Sequence, residues 1–335
     1  MKKIFVPLPT WAYSYIFSVL ILILTLVVTG RGGGSTINSA LSLAPYLVLV
    51  GMGQMLVITS GPGNIDLSVA SVFSLAGYVS IVAYQKTSSV PLSLTAAALV
   101  GVITAIFSVI MINALKIPPI IATLASGLII TSFTLTLANG FSGSSAPTIK
   151  QFVHLKAPLG IPVFAITVLV ISIALAFVLN RSVWGRRLSA SGQAFDAASF
   201  AGLRPARAIA VTYIISGLLA GLSGALLTAY IAPSPDLGSS YLLDSIAVVI
   251  IGGTLMTGGR ASVLGVWGGS LFFILLNGLL NLIGWSTAGQ NTLKGLLVLA
   301  VLFLAGDGVL AKMKSKKTPK QVQLAAENEK SEASA

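Results

Sequence analysis

The residues able to do chemistry are scarce. The whole chain carries eight acids, and only Asp66, Asp196, Asp236 and Asp244 come before Asp307. They are too few and too scattered for paired-carboxylate catalysis, or for the proton relay a secondary carrier builds inside its bundle. There is no cysteine, which excludes thiolate catalysis, disulfides and Cys-ligated metals. A single histidine, His154, excludes a multi-histidine metal site and reads as a surface residue. No GxxxxGK[ST] phosphate loop occurs. The sequence therefore offers no catalytic, cofactor or metal constellation. If this protein moves a solute uphill, the energy must come from ATP on another chain or from an ion gradient.

What is left is a set of polar residues inside apolar surroundings. Asp66 opens the run Asp66-Leu67-Ser68-Val69-Ala70, just after the breaker Gly61-Pro62-Gly63-Asn64. Asp244 opens Asp244-Ser245-Ile246-Ala247-Val248. Each acid has two compatible readings. One is a helix cap that accepts amide hydrogen bonds and complements the positive helix end. The other is a part of a translocation path or gate. Gln54, Asn113, Thr123, Asn277 and Asn281 are uncharged polar groups within apolar spans, where interhelical hydrogen bonds are the commoner use. Gly101 to Asn113 and Gly265 to Asn277 share a spacing of twelve residues. That spacing fits an inverted internal repeat, an arrangement that places a substrate path at the repeat interface. Asn64, Asp66, Ser68, Asn113, Asp244 and Asn277 are the candidate pathway or gate residues.

The elements that must hold them are membrane helices. Of the 335 residues, 55% are hydrophobic and 8% charged, against roughly 25% charged in soluble domains. Residues 4–30, 32–65, 87–115, 117–149, 208–235 and 261–293 contain no Asp, Glu, Lys or Arg. Each exceeds the about 20 apolar residues that cross a bilayer. The fold class is all-α, a polytopic transmembrane bundle. Apolar windows and turn signals predict ten spans near 11–30, 40–60, 66–85, 91–115, 118–139, 160–180, 207–231, 242–257, 263–284 and 292–308. The third follows the Gly-Pro-Gly breaker and the eighth is short and ends in Gly258-Gly259, so either can be broken or half-spanning. In the inverted repeat, spans 2–5 correspond to spans 7–10, and the odd offset reverses their orientation.

Net charge is +12. In a membrane protein such a surplus marks cytoplasmic loops rather than nucleic-acid binding. With the N-terminus inside, the inner segments hold Lys2, Lys3, Lys116, Arg181, Arg186, Arg187, Arg204, Arg207, Arg260 and six lysines from Lys312 onward, 15 of the 20 Lys and Arg. The outer segments hold Arg31, Lys86, Lys150, Lys156 and Lys294. Both termini are expected in the cytoplasm. Residues 1–310 form the membrane domain and 311–335 a charged tail, expected to be disordered. Trp11, Tyr13, Tyr15 and Trp285 fit interfacial anchors. An outer loop near 140–159 has room for a short surface helix. The inner loop, about 181–206, is the most polar stretch before the tail, and within it 194–201 suits a short helix stopped by Gly202.

That inner loop contains Asp196-Ala197-Ala198-Ser199-Phe200-Ala201-Gly202, which resembles the EAA-x-x-x-G coupling motif of bacterial ABC importer permeases, with Asp for Glu. Three further stretches resemble the ribose/xylose/arabinose/autoinducer-2 permease family. They are Gly63-Asn64-Ile65-Asp66-Leu67-Ser68-Val69, Pro118 through Leu124, and Ile251-Gly252-Gly253-Thr254 with Gly258-Gly259-Arg260-Ala261-Ser262-Val263-Leu264-Gly265. The departures are the Ser60-Gly61-Pro62 lead into the Asp motif and Ala261 where Gly is usual. The resemblance runs from about residue 40 to 306. It implies a fold similar to vitamin B12-type importers, with ten helices and an inverted repeat. It implies that the chain translocates a monosaccharide or similar small polyol across the inner membrane, with no catalysis of its own. It also implies partners: a second permease copy, identical or not, an ABC ATPase that is often a tandem chain and carries ATP and Mg, and an extracytoplasmic sugar-binding protein. Asp196, Ala197, Ala198 and Gly202 would couple to the ATPase. The alternative reading is an ion-coupled carrier or channel for a small polar solute.

Overall fold

The structure is a computed structural model, and it describes residues 9–30 and 33–305. Among the described residues there are thirteen α-helices and no β-strand. Ten of them fall on the ten expected windows: α1 (Ala12–Thr29), α2 (Gly33–Thr59), α3 (Val69–Thr87), α4 (Val90–Asn113), α5 (Pro119–Ala138), α7 (Val163–Arg181), α10 (Pro205–Ile231), α11 (Ser239–Ile251), α12 (Val263–Leu282) and α13 (Thr287–Ala305). Six of these, α2, α4, α5, α7, α10 and α12, are long and apolar enough to cross a membrane. The thirteen residues of α11 extend only about 20 Å at 1.5 Å per residue, short of the roughly 30 Å hydrocarbon core. The protein is a polytopic all-α bundle. The charged tail expected at 311–335 lies outside the described residues. The chain divides into two units, up to Lys294 and from Gly295.

Three short helices occupy the loops. The loop expected near 140–159 holds α6 (Pro147–His154), and the loop expected near 181–206 holds α8 (Val183–Gln193) and α9 (Phe195–Phe200). The expected short helix at 194–201 is α9. Before it, α8 forms a helix where the sequence reads as a solvated connection. Ser182 starts α8 by accepting a hydrogen bond from the Gly185 amide at 3.1 Å, an N-cap that satisfies one orphan donor.

α2 is the axis of the first unit. It packs against α10, α12, α11 and α7, and 83% of its apolar window is buried. Small residues set how closely neighbours approach. A Cβ on Gly101 of α4 would lie 1.8 Å from the Gly217 carbonyl oxygen of α10, and one on Gly217 would lie 2.2 Å from that of Gly101. A side chain at either position would force the two backbones apart, the close packing that membrane helices use in place of a hydrophobic drive. Gly265 meets the Gly252 carbonyl in the same way. Both leading glycines of the matched Gly-to-Asn spacing therefore mark backbone contacts. The asparagines at the other ends differ: Asn113 donates to the Ala206 carbonyl at 3.3 Å, whereas Asn277 joins a buried ion pair.

Candidate functional site

Between α2 and α3 the chain leaves helical geometry from Ser60 to Ser68. This segment turns back into the bundle. Its Asp66 reaches Ser216 of α10, eleven residues or about 16 Å along that helix from its first residue. Non-helical backbone at membrane depth needs partners from the protein itself, and the segment has them. Thr123 and Tyr213 both donate to the Ile65 carbonyl, each at 3.3 Å. With its amide turned to match donor to acceptor, Gln54 donates to the Asp66 carbonyl at 3.2 Å and accepts from the Asp66 amide at 3.3 Å. Asn64 donates to Ser60 Oγ at 3.0 Å.

The Asp66 side chain closes the knot. Oδ1 accepts from Ser68 Oγ at 2.6 Å and from the Ser68 amide at 3.1 Å, and Oδ2 accepts from Ser216 Oγ at 2.9 Å. Asp66 is 1% exposed. A carboxylate bound by three donors is a strong tie, since hydrogen bonds to charged groups contribute about 1.5–3 kcal/mol each. The helix-cap expectation is met in part: α3 begins at Val69, the Ser68 amide just before it is held by the Asp66 carboxylate, and the same carboxylate also bridges to Ser216 of α10. Of the expected pathway residues, Asn64, Asp66 and Ser68 thus come together, all buried.

Asp244 lies elsewhere and behaves differently. It sits inside α11 rather than at its start, which corrects the cap reading for this acid. Lys294 of α13 donates to it, and Asn277 of α12 donates to its Oδ2 at 3.4 Å. Lys294 is therefore not the outer-loop charge expected from the sequence; it is buried. Asn281, the neighbouring span asparagine, accepts from Gln290 at 2.7 Å. The structure brings Asp244 and Asn277 together, and sets Asn113 apart at the end of α4.

A second broken segment, residues 252–262, follows α11. Its turn is possible because Gly258 and Gly259 take φ of +84° and +81°, a region that costs any side-chain-bearing residue. The two broken segments touch: the Gly259 amide donates to the Thr59 carbonyl at 2.9 Å. The inner loop rests on the same point through Gly192 at the end of α8. Beyond it, α9 presents Asp196 and Ala197 to solvent and buries Ala198. Gly202, with φ of +77°, ends the turn, and the amides of Gly202 and Leu203 return to the Ser199 and Ala198 carbonyls at 3.0 Å each. Phe200 on this helix is 91% exposed.

Sequence reasoning missed Ser216, Lys294 and Gly192. Nothing local marks a serine whose acid lies 150 positions away. Of the anchors expected at the membrane surface, Trp11, Tyr13 and Trp285 are exposed, and Tyr15 donates to the Leu264 carbonyl at 3.0 Å. His154 is exposed and stacks on Tyr230, with ring centroids 4.7 Å apart.

The site is thus set in an all-α membrane bundle whose two broken segments meet each other and the helical loop that follows α7. Residues 36–306 match the family described as branched-chain amino acid transport system / permease component. The chain is 34% identical over 261 residues to the ribose import permease protein RbsC of Bacillus subtilis, covering 76% of this chain and 80% of that protein. It is 31% identical to the ribose import permease protein of Escherichia coli K12, over 77% of this chain and 81% of that protein. It is 27% identical to the autoinducer 2 import system permease protein LsrC of Photorhabdus laumondii, with 81% of each chain covered. No solved structure matches the chain. The chain belongs to this permease family, and it is the transmembrane subunit of an ABC-type importer.

Proposed function

We propose that this chain is half of a paired pathway that carries a monosaccharide or similar small polyol inward across the bacterial inner membrane, driven by a separate ABC ATPase. An extracytoplasmic binding protein supplies the sugar from outside. Both termini lie in the cytoplasm, so α8, α9 and the two broken segments face the ATPase. The relatives named for ribose and autoinducer 2 support the substrate class. Residues 194–203 are the coupling segment, with Asp196, Ala197, Ala198 and Gly202 in the motif.

The observation that carries this reading is α9. It is a six-residue helix at the inner end of the bundle that leaves a phenylalanine almost fully in solvent. A large apolar side chain so placed on a short helix fits an anchor for a groove on another chain. Movement of α9 when ATP closes the ATPase pair would shift the broken segments, which act as the inner gate. This is a two-state linkage between the nucleotide and substrate sites.

The test is a mild-detergent pull-down of the tagged protein from its native membrane, with mass spectrometry of the recovered chains. A tandem ATPase, with either one permease species or two, is the expected result and tells a homodimer from a heterodimer. Recovery of no ATPase, under conditions that preserve a known ABC complex, would transfer the assignment to an ion-coupled carrier.

A further inference from the structure

Three distant stretches of backbone meet at one point of the inner face, and no side chain separates them. The Thr59 carbonyl ends α2 and accepts the Gly259 amide at 2.9 Å. Gly192, in the last turn of α8, lies against that same hydrogen bond. A Cβ placed on Gly192 would be 2.0 Å from the Thr59 oxygen and 2.6 Å from the Gly259 nitrogen. A Cβ on Gly258 would be 2.6 Å from the Gly192 oxygen and 2.9 Å from the Gly61 Cα. A Cβ on Gly259 would be 3.1 Å from the Gln193 backbone nitrogen and from the Ser189 oxygen, and 2.3 Å from Cγ of the Gln193 side chain, which lies beside the joint. So 59–61, 192–193 and 258–259 form a single backbone cluster.

The helix that carries Gly192 is held at both ends. At its start, Ser182 caps it, and Gly185 packs so tightly that a Cβ would lie 2.0 Å from the Leu179 oxygen of α7. In its middle, Leu188 is fully buried. At its end, one residue, Ala194, separates it from α9. That junction is bonded on both sides: the Ala194 amide donates to the Ala190 carbonyl at 3.3 Å, and the Ala198 amide donates to the Ala194 carbonyl at 2.9 Å. Packed protein has low compressibility and transmits strain. Side chains in a contact absorb displacement by changing rotamer, whereas backbone against backbone cannot.

We propose that the end of α8 is a rigid joint that carries displacement of the coupling helix into both broken segments together, with Gly192 as its positioning residue. This rests on residues 194–203 being the coupling segment. Glycine is required at the joint because any side chain would pry the Thr59–Gly259 hydrogen bond apart. One movement of α9 then reaches the Asp66 knot through 59–66 and the α11–α12 turn through 258–260.

The chain has no cysteine, so a permease labelled before it is reassembled with its ATPase carries spin labels at the introduced cysteines alone. The positions are Ser199 on α9, Thr257 in the second broken segment and Leu155 in the outer loop, all exposed. Pairwise distances are measured by pulsed electron paramagnetic resonance on the intact complex with its ATPase, with and without ATP and Mg. The expected result is that Ser199→Cys and Thr257→Cys keep their mutual distance while both move relative to Leu155→Cys. A change in the Ser199–Thr257 distance overturns the rigid joint and leaves the coupling assignment standing. No ATP-dependent movement of either label relative to Leu155→Cys overturns the coupling assignment, and the joint with it.

The same labels in a Gly192→Ala background separate positioning from mere support. Movement at Ser199→Cys should persist, and movement at Thr257→Cys should be lost. Gly185→Ala, as crowded but away from the joint, should lower the yield of complex without separating the two movements. If Gly192→Ala leaves both movements intact, Gly192 is not the positioning residue.

Discussion

Lys294 grips Asp244 with its ammonium 3.0 Å from both carboxylate oxygens, and the two side chains are 3% and 5% exposed. The pair ties α13 to α11 across fifty residues of sequence. Asn277 adds a contact from α12. A buried pair of this kind contributes little when intact, because desolvation offsets most of the attraction, but it is expensive to break on one side only. Lys294→Met should therefore destabilise the fold by about 3–5 kcal/mol. Pairing it with Asp244→Asn should recover most of that loss. Thermal unfolding in detergent, read for both single variants and the double variant, gives the coupling. Additive losses would show that the two charges do not act as a pair.

Asp66 supports a sharper contrast between two substitutions. Asparagine keeps the shape and one acceptor, and the Ser68 and Ser216 hydroxyls can turn to accept from the new amide. Leucine leaves the Ser68 amide and two hydroxyls buried without an acceptor, at about 1–3 kcal/mol for each unsatisfied group. Asp66→Asn should fold with a modest fall in melting temperature, whereas Asp66→Leu should fail to accumulate. Folded yield by fluorescence-detected size exclusion, followed by melting of what survives, measures the difference. Equal behaviour of the two variants would mean that the knot around Asp66 does not hold the broken segment.

Much of this architecture was legible because the membrane imposes a coarse and reliable code. Long charge-free runs give helices, and the Gly-Pro and Gly-Gly pairs give the break before Asp66 and the one after α11. The inner helix near Asp196 and its stop at Gly202 were legible too. The partners were not. Apolar periodicity says that a helix is buried, yet in a chain apolar on nearly every face it does not say which face meets which neighbour. Lys294 therefore read as an outer charge, since its acid lies in another helix. Asp244 read as a helix start because the apolar run begins there, while α11 begins five residues earlier at Ser239. α8 was hidden because its arginines and serines give it the composition of a solvated loop, and its support comes from the Ser182 cap and from packing on α7, α10, α9 and α2.

Glycine positions range from crowded to open. Gly101 faces the Gly217 carbonyl with no room for a methyl group. Gly278, in α12, has nothing within 4 Å of where a Cβ would stand. Gly101→Ala should cost about 1–3 kcal/mol by overpacking, or more if α4 and α10 separate. Gly278→Ala should raise stability by roughly 0.4–1 kcal/mol by restricting the unfolded chain. Melting temperatures of the two variants in the same detergent should move in opposite directions. A shared direction would argue against the close α4–α10 crossing.

Phe200 tests the docking surface directly. The side chain is 91% exposed, so it contributes almost nothing to the fold of this chain, and replacing it should leave the melting temperature of the isolated permease unchanged. Fully desolvated aromatic anchors typically cost 2 kcal/mol or more when removed from an interface, about a thirtyfold loss of affinity. A carboxylate at the same place would also have to be desolvated without a partner. Phe200→Glu should therefore release the ATPase during purification, and Phe200→Leu should retain part of it by keeping an apolar side chain. The readout is the ratio of ATPase to permease recovered from membranes, set beside the melting curve of each variant. Full retention of the ATPase by Phe200→Glu would remove α9 from the docking surface. A melting temperature that falls in step with the ATPase would instead make Phe200 a structural residue.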